Sequence, residues 1–419
     1  MNFQQGLSGL NATSKSLEVA GNNIANASTF GAKAARAEFA DLYANALGTT
    51  SNNNIGIGVQ VETVTQQFSQ GTILSTGNMM DVAINGNGFF QLEDPDGELF
   101  YSRNGQFQVD REGYIVTSSG LRLQGYSADD EGTIETGVRS DLQLSLSGVN
   151  PQATERVSMA LNLDSRSEVT QPTAGGIDFD DPKTYNNATS VKLFDAQGKP
   201  VNISCYFQKT DRDLWNVFAT VGDQPLHGTA ASPQPLITGL SFDASGLNPS
   251  VGGVALTKVT LPDIPASDDH GLLQGVQVDF SDTTQFGMAF SLTDVSQDGY
   301  APGQFTGLTI EDDGIVTARY TNGLTQAAGQ LELATFRNPQ GLKSLGGNVW
   351  VSTLQAGDAV NGVPGSGTLG VVQSGALEES NVDLTGELVH LMTSQRLYQA
   401  NAQTIKTQDS ILQTLVSMR

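Results

Sequence analysis

The chain has 419 residues, of which 38% are hydrophobic and 16% charged, with 47 glycines; that length exceeds a single core and predicts roughly two to four domains. The 21 Lys and Arg against 44 Asp and Glu give a formal net charge of −23, which argues against nucleic acid or an anionic membrane as partner. Cys205 is the one cysteine, so no intrachain disulfide can form, and no run of about eighteen apolar residues exists to insert into a membrane.

In chain order, the N-terminus Met1-Asn2-Phe3-Gln4-Gln5 lacks the charged and apolar regions of a secretory signal, which argues against Sec export. Phe3, Leu7, Leu10, Ser14, Leu17, Gly21 and Ile24 then advance by alternating steps of four and three. That is the spacing of a coiled-coil seam, weakened at Ser14 and Gly21. Residues 45–60 are polar and Gly-rich and predict a loop within a linker region, about 26–70.

β signals follow. Gly88–Glu93 and Glu98–Arg103 flank the turn Asp94-Pro95-Asp96-Gly97, and Gln106–Asp110 and Tyr114–Ser118 flank Arg111-Glu112-Gly113. Much later, Leu308–Glu311 and Ile315–Tyr320 flank Asp312-Asp313-Gly314. Between these sets, Val191–Asp195 and Val201–Phe207 surround Ala196-Gln197-Gly198, with Ile203, Cys205 and Phe207 alternating against polar neighbours as in a half-buried strand. Cys205 in that setting reads as a small buried hydrophobe. The expected layout is a discontinuous inner β domain, 71–148 with 286–379, and an outer β domain, 149–285, inserted in it.

The C-terminal stretch repeats the first pattern more strongly, through Leu384, Leu388, Leu391, Gln395, Tyr398, Ala402, Ile405, Asp409, Leu412 and Val416. Asn381 and Asp383 are candidate caps, and Glu387 suits the first turn. A helix over 384–417 would run about 50 Å at 1.5 Å per residue. The two ends also differ from the middle in charge: residues 1–70 carry −1, residues 376–419 carry −2, and the remaining −20 lies between. Near-neutral ends can pack in a crowded core, and an acidic middle suits solvent. The alternative reading of the end helices is two ordinary amphipathic helices capping a globular domain; their terminal positions argue instead that each seam needs a partner. The fold class expected is therefore multidomain α+β, with terminal helices forming a coiled-coil core and two mainly antiparallel β domains between them.

A search for chemistry returns little. His227, His270 and His390 are scattered, no His/Cys pair has metal-ligand spacing, and neither H-E-x-x-H nor G-x-S-x-G occurs. Gly86-Asn87-Gly88 lacks the third glycine of a dinucleotide fingerprint, Gln91 standing in its place. Asp94-Pro95-Asp96-Gly97 and Asp129-Asp130-Glu131-Gly132 lack EF-hand spacing and read as turns. No catalytic residue, cofactor site or metal site is expected.

Three segments resemble a known family. Gly21-Asn22-Asn23-Ile24-Ala25-Asn26-Ala27-Ser28-Thr29-Phe30-Gly31 is similar to the N-terminal signature of bacterial flagellar axial proteins, the rod, hook and hook–filament junction subunits. Gly31-Ala32-Lys33 keeps the family's lysine and lacks its aromatic. Ser380-Asn381-Val382-Asp383-Leu384, with Gln395-Arg396-Leu397-Tyr398 and Ile405-Lys406-Thr407-Gln408-Asp409, resembles the C-terminal signature. Phe68-Ser69-Gln70-Gly71, Asp81-Val82-Ala83-Ile84 and Tyr101-Ser102-Arg103-Asn104-Gly105 resemble a block shared by hook and rod proteins. Length and the inserted β region favour the hook family over a distal-rod-type subunit, and both over a secreted adhesin or hydrolase.

The resemblance implies a self-assembling, non-enzymatic subunit of the extracellular flagellum. Its helices (residues 1–25 and 380–419) would line a short curved tube that transmits torque while bending. It would leave the cell through the flagellar export apparatus without a cleavable signal peptide. Implied partners are further copies of the chain, the distal rod protein, the hook cap and the hook–filament junction proteins. The residues expected to form the assembly core are Phe3, Leu7, Leu10, Leu17, Ile24, Leu384, Leu388, Leu391, Tyr398, Ile405, Leu412 and Val416. The signature residues are Asn22, Asn23, Ile24, Ala25, Asn26, Gly31, Asn381, Val382, Asp383, Leu384, Gln395, Arg396 and Tyr398.

Overall fold

A computed structural model describes residues 2–43, 56–129, 132–145, 148–170, 177–267 and 270–417. The chain is mostly β, with a helix at each end: α1 (Asn2–Ala25) and α2 (Leu384–Ser417). It divides into two units. The first comprises residues 1–146, 306–319 and 325–419, and the second comprises residues 147–305 and 320–324.

The first unit contains both helices and a large sheet. One run of that sheet passes through Thr325–Leu331, Arg122–Ala128, Phe89–Glu93, Leu99–Ser102, Val349–Val351 and Lys343–Gly346. The expected turns close it. Gly97 takes φ +86° and its N–H donates to the Asp94 carbonyl, and Gly314 takes φ +83° and donates likewise to Glu311. Only glycine adopts that backbone region without strain. Against this sheet lies an aromatic cluster of Phe68, Phe89, Tyr101, Phe336 and Trp350 in edge-to-face pairs, with the Trp350 Nε1–H donating to Gln66 Oε1. Strands β1 (Ala35–Tyr43) and β2 (Gly56–Gln66) form a separate antiparallel ribbon. The loop expected over 45–60 is therefore shorter, because Gly56–Gln66 is strand; residues 44–55 lie outside the described residues.

The second unit packs two sheets on one core. An antiparallel sheet orders Asn187–Phe194, Pro200–Asp211, Leu214–Val221 and Ile237–Ser241. Ile203, Cys205 and Phe207 point inward from it, as their alternation predicts, and meet Val157, Met159, Leu161 and Leu163 of the second sheet. That second sheet is mixed: Arg156–Asp164 pairs parallel with Gln277–Asp279 and Thr284–Phe286, and antiparallel with Ser291–Gln297.

The last pairing corrects a boundary. The chain was expected to return to the first β domain at residue 286, yet it stays in the second unit to residue 305. The cause is the strand Ser291–Gln297, largely exposed and polar, which carries no apolar alternation to mark its sheet.

Candidate assembly interface

The two terminal helices lie antiparallel and touch along much of their length. An added Cβ at Gly6 would stand 3.1 Å from Ile405 Cγ1, and one at Gly9 would stand 3.0 Å from Asn401 Nδ2. Farther along, Ser16 Oγ lies 3.3 Å from Ser394 Oγ and 3.5 Å from His390 Nε2, and Asn23 Nδ2 donates to Glu387 Oε1 at 3.0 Å. Each step towards the end of α1 is thus matched by a step back towards the start of α2.

The face that closes this pair is small and polar. Among the described residues, Gly6, Ala12, Ser16, Ala20 and Asn23 are the buried positions of α1, and Ser394 is buried on α2. The leucine stripes lie elsewhere. Leu7, Leu384, Leu388, Tyr398, Leu412 and Val416 are exposed; Leu10, Leu17, Ile24, Leu391 and Ile405 are half-buried. The Phe3 side chain lies outside the described residues. Within one chain the closest contacts use glycine, alanine and serine, one or two positions from the leucine seams, with Ile405 of the C-terminal seam facing Gly6. Small side chains let the two backbones approach, and interaxial distance follows the side chains at the contact.

Where the helices meet the β body, the signature residues have definite tasks. Asn23 accepts from the Ala35 N–H through Oδ1 at 2.9 Å and donates to the Ala35 carbonyl at 2.8 Å. Asn22 accepts from the Asn26 side-chain amide while the Asn26 N–H closes on the Asn22 carbonyl, ending α1. Ala25 is exposed. Gly31 takes φ +69°, and a Cβ there would come 2.5 Å from the Asn104 nitrogen, so only glycine fits. Asn381 accepts from Ala34 N–H and donates to the Gln67 and Ser69 carbonyls. The Val382 N–H donates to Ser380 Oγ, and Asp383 Oδ1 accepts from the Thr385 N–H, the helix-capping bond expected of it. Gln395 and Arg396 are exposed on α2.

At the same place sits a buried charge cluster that sequence reasoning missed. Glu378, with no exposed side-chain area, receives Lys33 Nζ on Oε1 at 2.6 Å and Arg103 Nη1 on Oε2 at 3.1 Å. The Gly71 N–H also donates to Oε1, at 2.8 Å. Lys33 further donates to the Ser69 carbonyl and Arg103 to the Gly86 carbonyl. Burial pulls the Lys33 ammonium below its usual range, and Glu378 opposes the pull; Arg103 is lowered by the same balance. A charge inside the short strand Ala376-Leu377-Glu378 was the available signal.

Among the described residues no group of three or more His, Cys, Asp or Glu is placed to hold a metal ion, and no helix is long and apolar enough to cross a membrane.

Comparison with known proteins matches this architecture along the chain. Residues 3–33 match the family described as flagella basal body rod protein, and 83–159 match the flagellar hook protein FlgE/F/G D1 domain. Residues 162–300 match the flagellar basal body protein FlaE D2 domain, and 373–418 match the flagellar basal body rod FlgEFG protein C-terminal region. The flagellar hook protein FlgE of Escherichia coli K12 is 40% identical over the full length of both chains, and that of Salmonella typhimurium is 39% identical, also over both full lengths. The chain belongs to the flagellar hook protein FlgE family. The hook protein of Rhizobium meliloti is 33% identical over this whole chain and 98% of its own. Among solved structures, Helicobacter pylori flagellar hook protein FlgE2 is similar in fold, with TM-score 0.53 and 13% identity over 73% of this chain and 100% of that one. The family is structural, and the chain is not an enzyme.

Proposed function

We propose that the chain is the repeating subunit of a bacterial flagellar hook, polymerising through its terminal helices into a curved, flexible tube that carries torque from rod to filament. The observation that carries this reading is the outer surface of the helix pair. α1 and α2 close on each other largely through small residues, leaving Leu7, Leu384, Leu388, Tyr398, Leu412 and Val416 of the seams exposed and the other described seam residues half-buried. Leu384, Leu388, Val389, Met392 and Leu397 are all about half exposed on the first half of α2 alone. Apolar surface arranged in a continuous stripe marks an interaction site. Other copies of the chain, each bringing the same stripes, would complete a coiled-coil core around Leu7, Leu10, Leu17, Leu388, Leu391, Ile405, Leu412 and Val416.

In this reading the second unit is an insertion that supplies polar, reversible contacts between neighbours. Small wet interfaces break and reform cheaply, as bending under rotation requires. The subunit belongs to the extracellular part of the flagellum and reaches it through the flagellar export apparatus. Its flanking partners are the distal rod protein, the hook cap during growth, and the junction proteins. Electron microscopy of the purified, assembled chain tests the proposal. Curved tubes are expected; straight rigid ones would assign it to the rod, and the absence of any polymer would overturn it.

A further inference from the structure

We propose that Gln91 and Glu332 hold a buried hydration site in the first unit, one or two ordered water molecules that bridge the Gln91 amide to the Glu332 carboxylate where three strands meet. The inference concerns the interior of a β sheet and is independent of how copies of the chain assemble.

The place follows from strand register. Along one edge of Phe89–Glu93, Leu92 and Glu93 pair with Leu123 and Arg122, whereas Phe90 and Phe89 pair with Leu333 and Ala334. The neighbour thus changes at Gln91, which keeps Tyr101 as its partner on the other edge. The incoming chain breaks at the same level. Thr325–Leu331 pairs with Arg122–Ala128, ending with Leu331 opposite Gly125, and Leu333–Thr335 then pairs with Phe89–Glu93. Glu332 is the residue between, and its N–H reaches the Gln124 carbonyl only at 3.4 Å. Opposed residues of an antiparallel pair share a face. Continuing each register by one residue therefore sets Gln91, Gln124 and Glu332 on the face that carries Tyr101.

These are polar side chains out of reach of bulk water. Gln91 is fully buried, Gln124 is 1% exposed and Glu332 3%. Gln124 Nε2 donates to Asp141 Oδ1, and the Tyr126 hydroxyl donates to Glu332 Oε1 at 2.9 Å. Among the described residues, Gln91 Nε2, Gln91 Oε1 and Glu332 Oε2 have no partner. Burial pushes the Tyr101 hydroxyl above its ordinary range, and Arg139 and Glu332 act on it in opposite senses, so the carboxylate is felt on the Tyr101 side. Leaving such groups unmet beside the packed rings of Phe89, Tyr101, Phe336 and Trp350 is costly. The orphaned set contains both a donor and acceptors. A metal ion would satisfy only the oxygens and strand the amide N–H. Water accepts from Gln91 Nε2 and donates to Glu332 Oε2, and its second hydrogen or a second water meets Gln91 Oε1. Buried water makes about three such bonds.

Gln91→Met removes both amide atoms at nearly constant shape, and a hydrated site and a dry one predict opposite signs. With water in place, the variant takes a partner from that water and weakens its hold on Glu332. Amide exchange on the full-length chain, read by mass spectrometry, should then quicken roughly tenfold or more in segments 89–93, 122–128 and 325–335. The strand Pro200–Asp211 of the second unit should keep its rate. In a dry site the variant removes two stranded polar atoms, so unchanged or slower exchange in those segments overturns the proposal. Should the variant fail to fold, density of the unaltered chain at a resolution that shows ordered solvent decides. A peak about 2.8–3.0 Å from both Gln91 Nε2 and Glu332 Oε2 is expected. A direct amide–carboxylate bond with nothing between, or a peak about 2.4 Å from oxygens alone, as a cation would give, overturns it.

Discussion

Replacing Leu388, Leu412 and Val416 together by glutamine removes apolar side chains from the outer stripe while retaining a good helix former at Leu388 and Leu412. In the single chain these side chains are 45%, 54% and 78% exposed, so much of their apolar area is still in contact with water. Full burial of such a side chain is worth about 1.5–3 kcal/mol, so covering the exposed fractions of all three would contribute about 3–5 kcal/mol per subunit on assembly. At about 1.4 kcal/mol per tenfold, the critical concentration for polymerisation should rise roughly a hundredfold to a few thousandfold. The assay is sedimentation of polymer over a concentration series, with thermal unfolding of the monomer as control. The unfolding temperature of the β units should not move, because the altered side chains lie on α2, outside the cores of the β units. An unchanged critical concentration would refute the idea that neighbouring copies bury this stripe. A fall in monomer stability of similar size would show that the stripe packs within the chain instead.

Three further expectations concern other parts of the molecule. A chain ending at Asn381 lacks α2 and should give soluble β units that stay monomeric at any concentration; pelletable filaments from it would contradict a helix-built core. Cys205 is buried and its thiol is pushed up to about 12 by loss of water, so a thiol reagent at neutral pH should label it only as the second unit unfolds. For Asp195, burial pushes the carboxyl upward, but the N–H groups of Gly271, Lys199 and Gln197 outweigh it and hold the group below its ordinary 3.8. A carboxylate depressed in the folded state stabilises fully above its unfolded value and loses that contribution as pH falls through the lower folded one. The second unit should therefore keep its native Trp215 fluorescence through pH 4, measured by acid titration. Asp195→Asn should remove that acid dependence and cost about 1–3 kcal/mol in denaturant unfolding, since the Gly271 N–H loses its acceptor.

The sequence carried the helices and many of the turns because those signals are local. Heptad spacing, the Asp383 cap and the glycines at 97 and 314 act within a few residues of themselves. The alternation of Ile203, Cys205 and Phe207 is equally local, and the structure buries that face. What escaped was non-local. Nothing near Glu378 in the sequence announces Lys33 or Arg103, which lie 345 and 275 positions away. The strand Ser291–Gln297 was hard to read because its side chains are mostly exposed, with only Val295 reaching the core, and backbone pairing does most to place it. The face that closes the pair within one chain went unread for a different reason: a search for apolar repeats finds leucines, whereas close approach of two backbones selects Gly6, Gly9, Ala12 and Ala20.

That choice of face bears on how such a chain can be stored and then built into a polymer. A pair of helices closed by Gly, Ala and Ser buries little apolar surface, and helices in water owe most of their stability to the packing of an apolar face. Within one chain the pair is thus weakly held along its length and anchored chiefly at the β body, by Asn23, Asn381 and the Glu378 cluster. Had the leucines closed the pair, the isolated subunit would be satisfied and its surface would have little left to offer a neighbour. Because Leu7, Leu384, Leu388, Leu412 and Val416 are exposed, the assembly proposed above would release the larger part of the hydrophobic gain only when stripes of different copies meet. The near-neutral charge of both ends lets that happen without repulsion, and the −20 carried between residues 71 and 375 discourages the β regions from associating first.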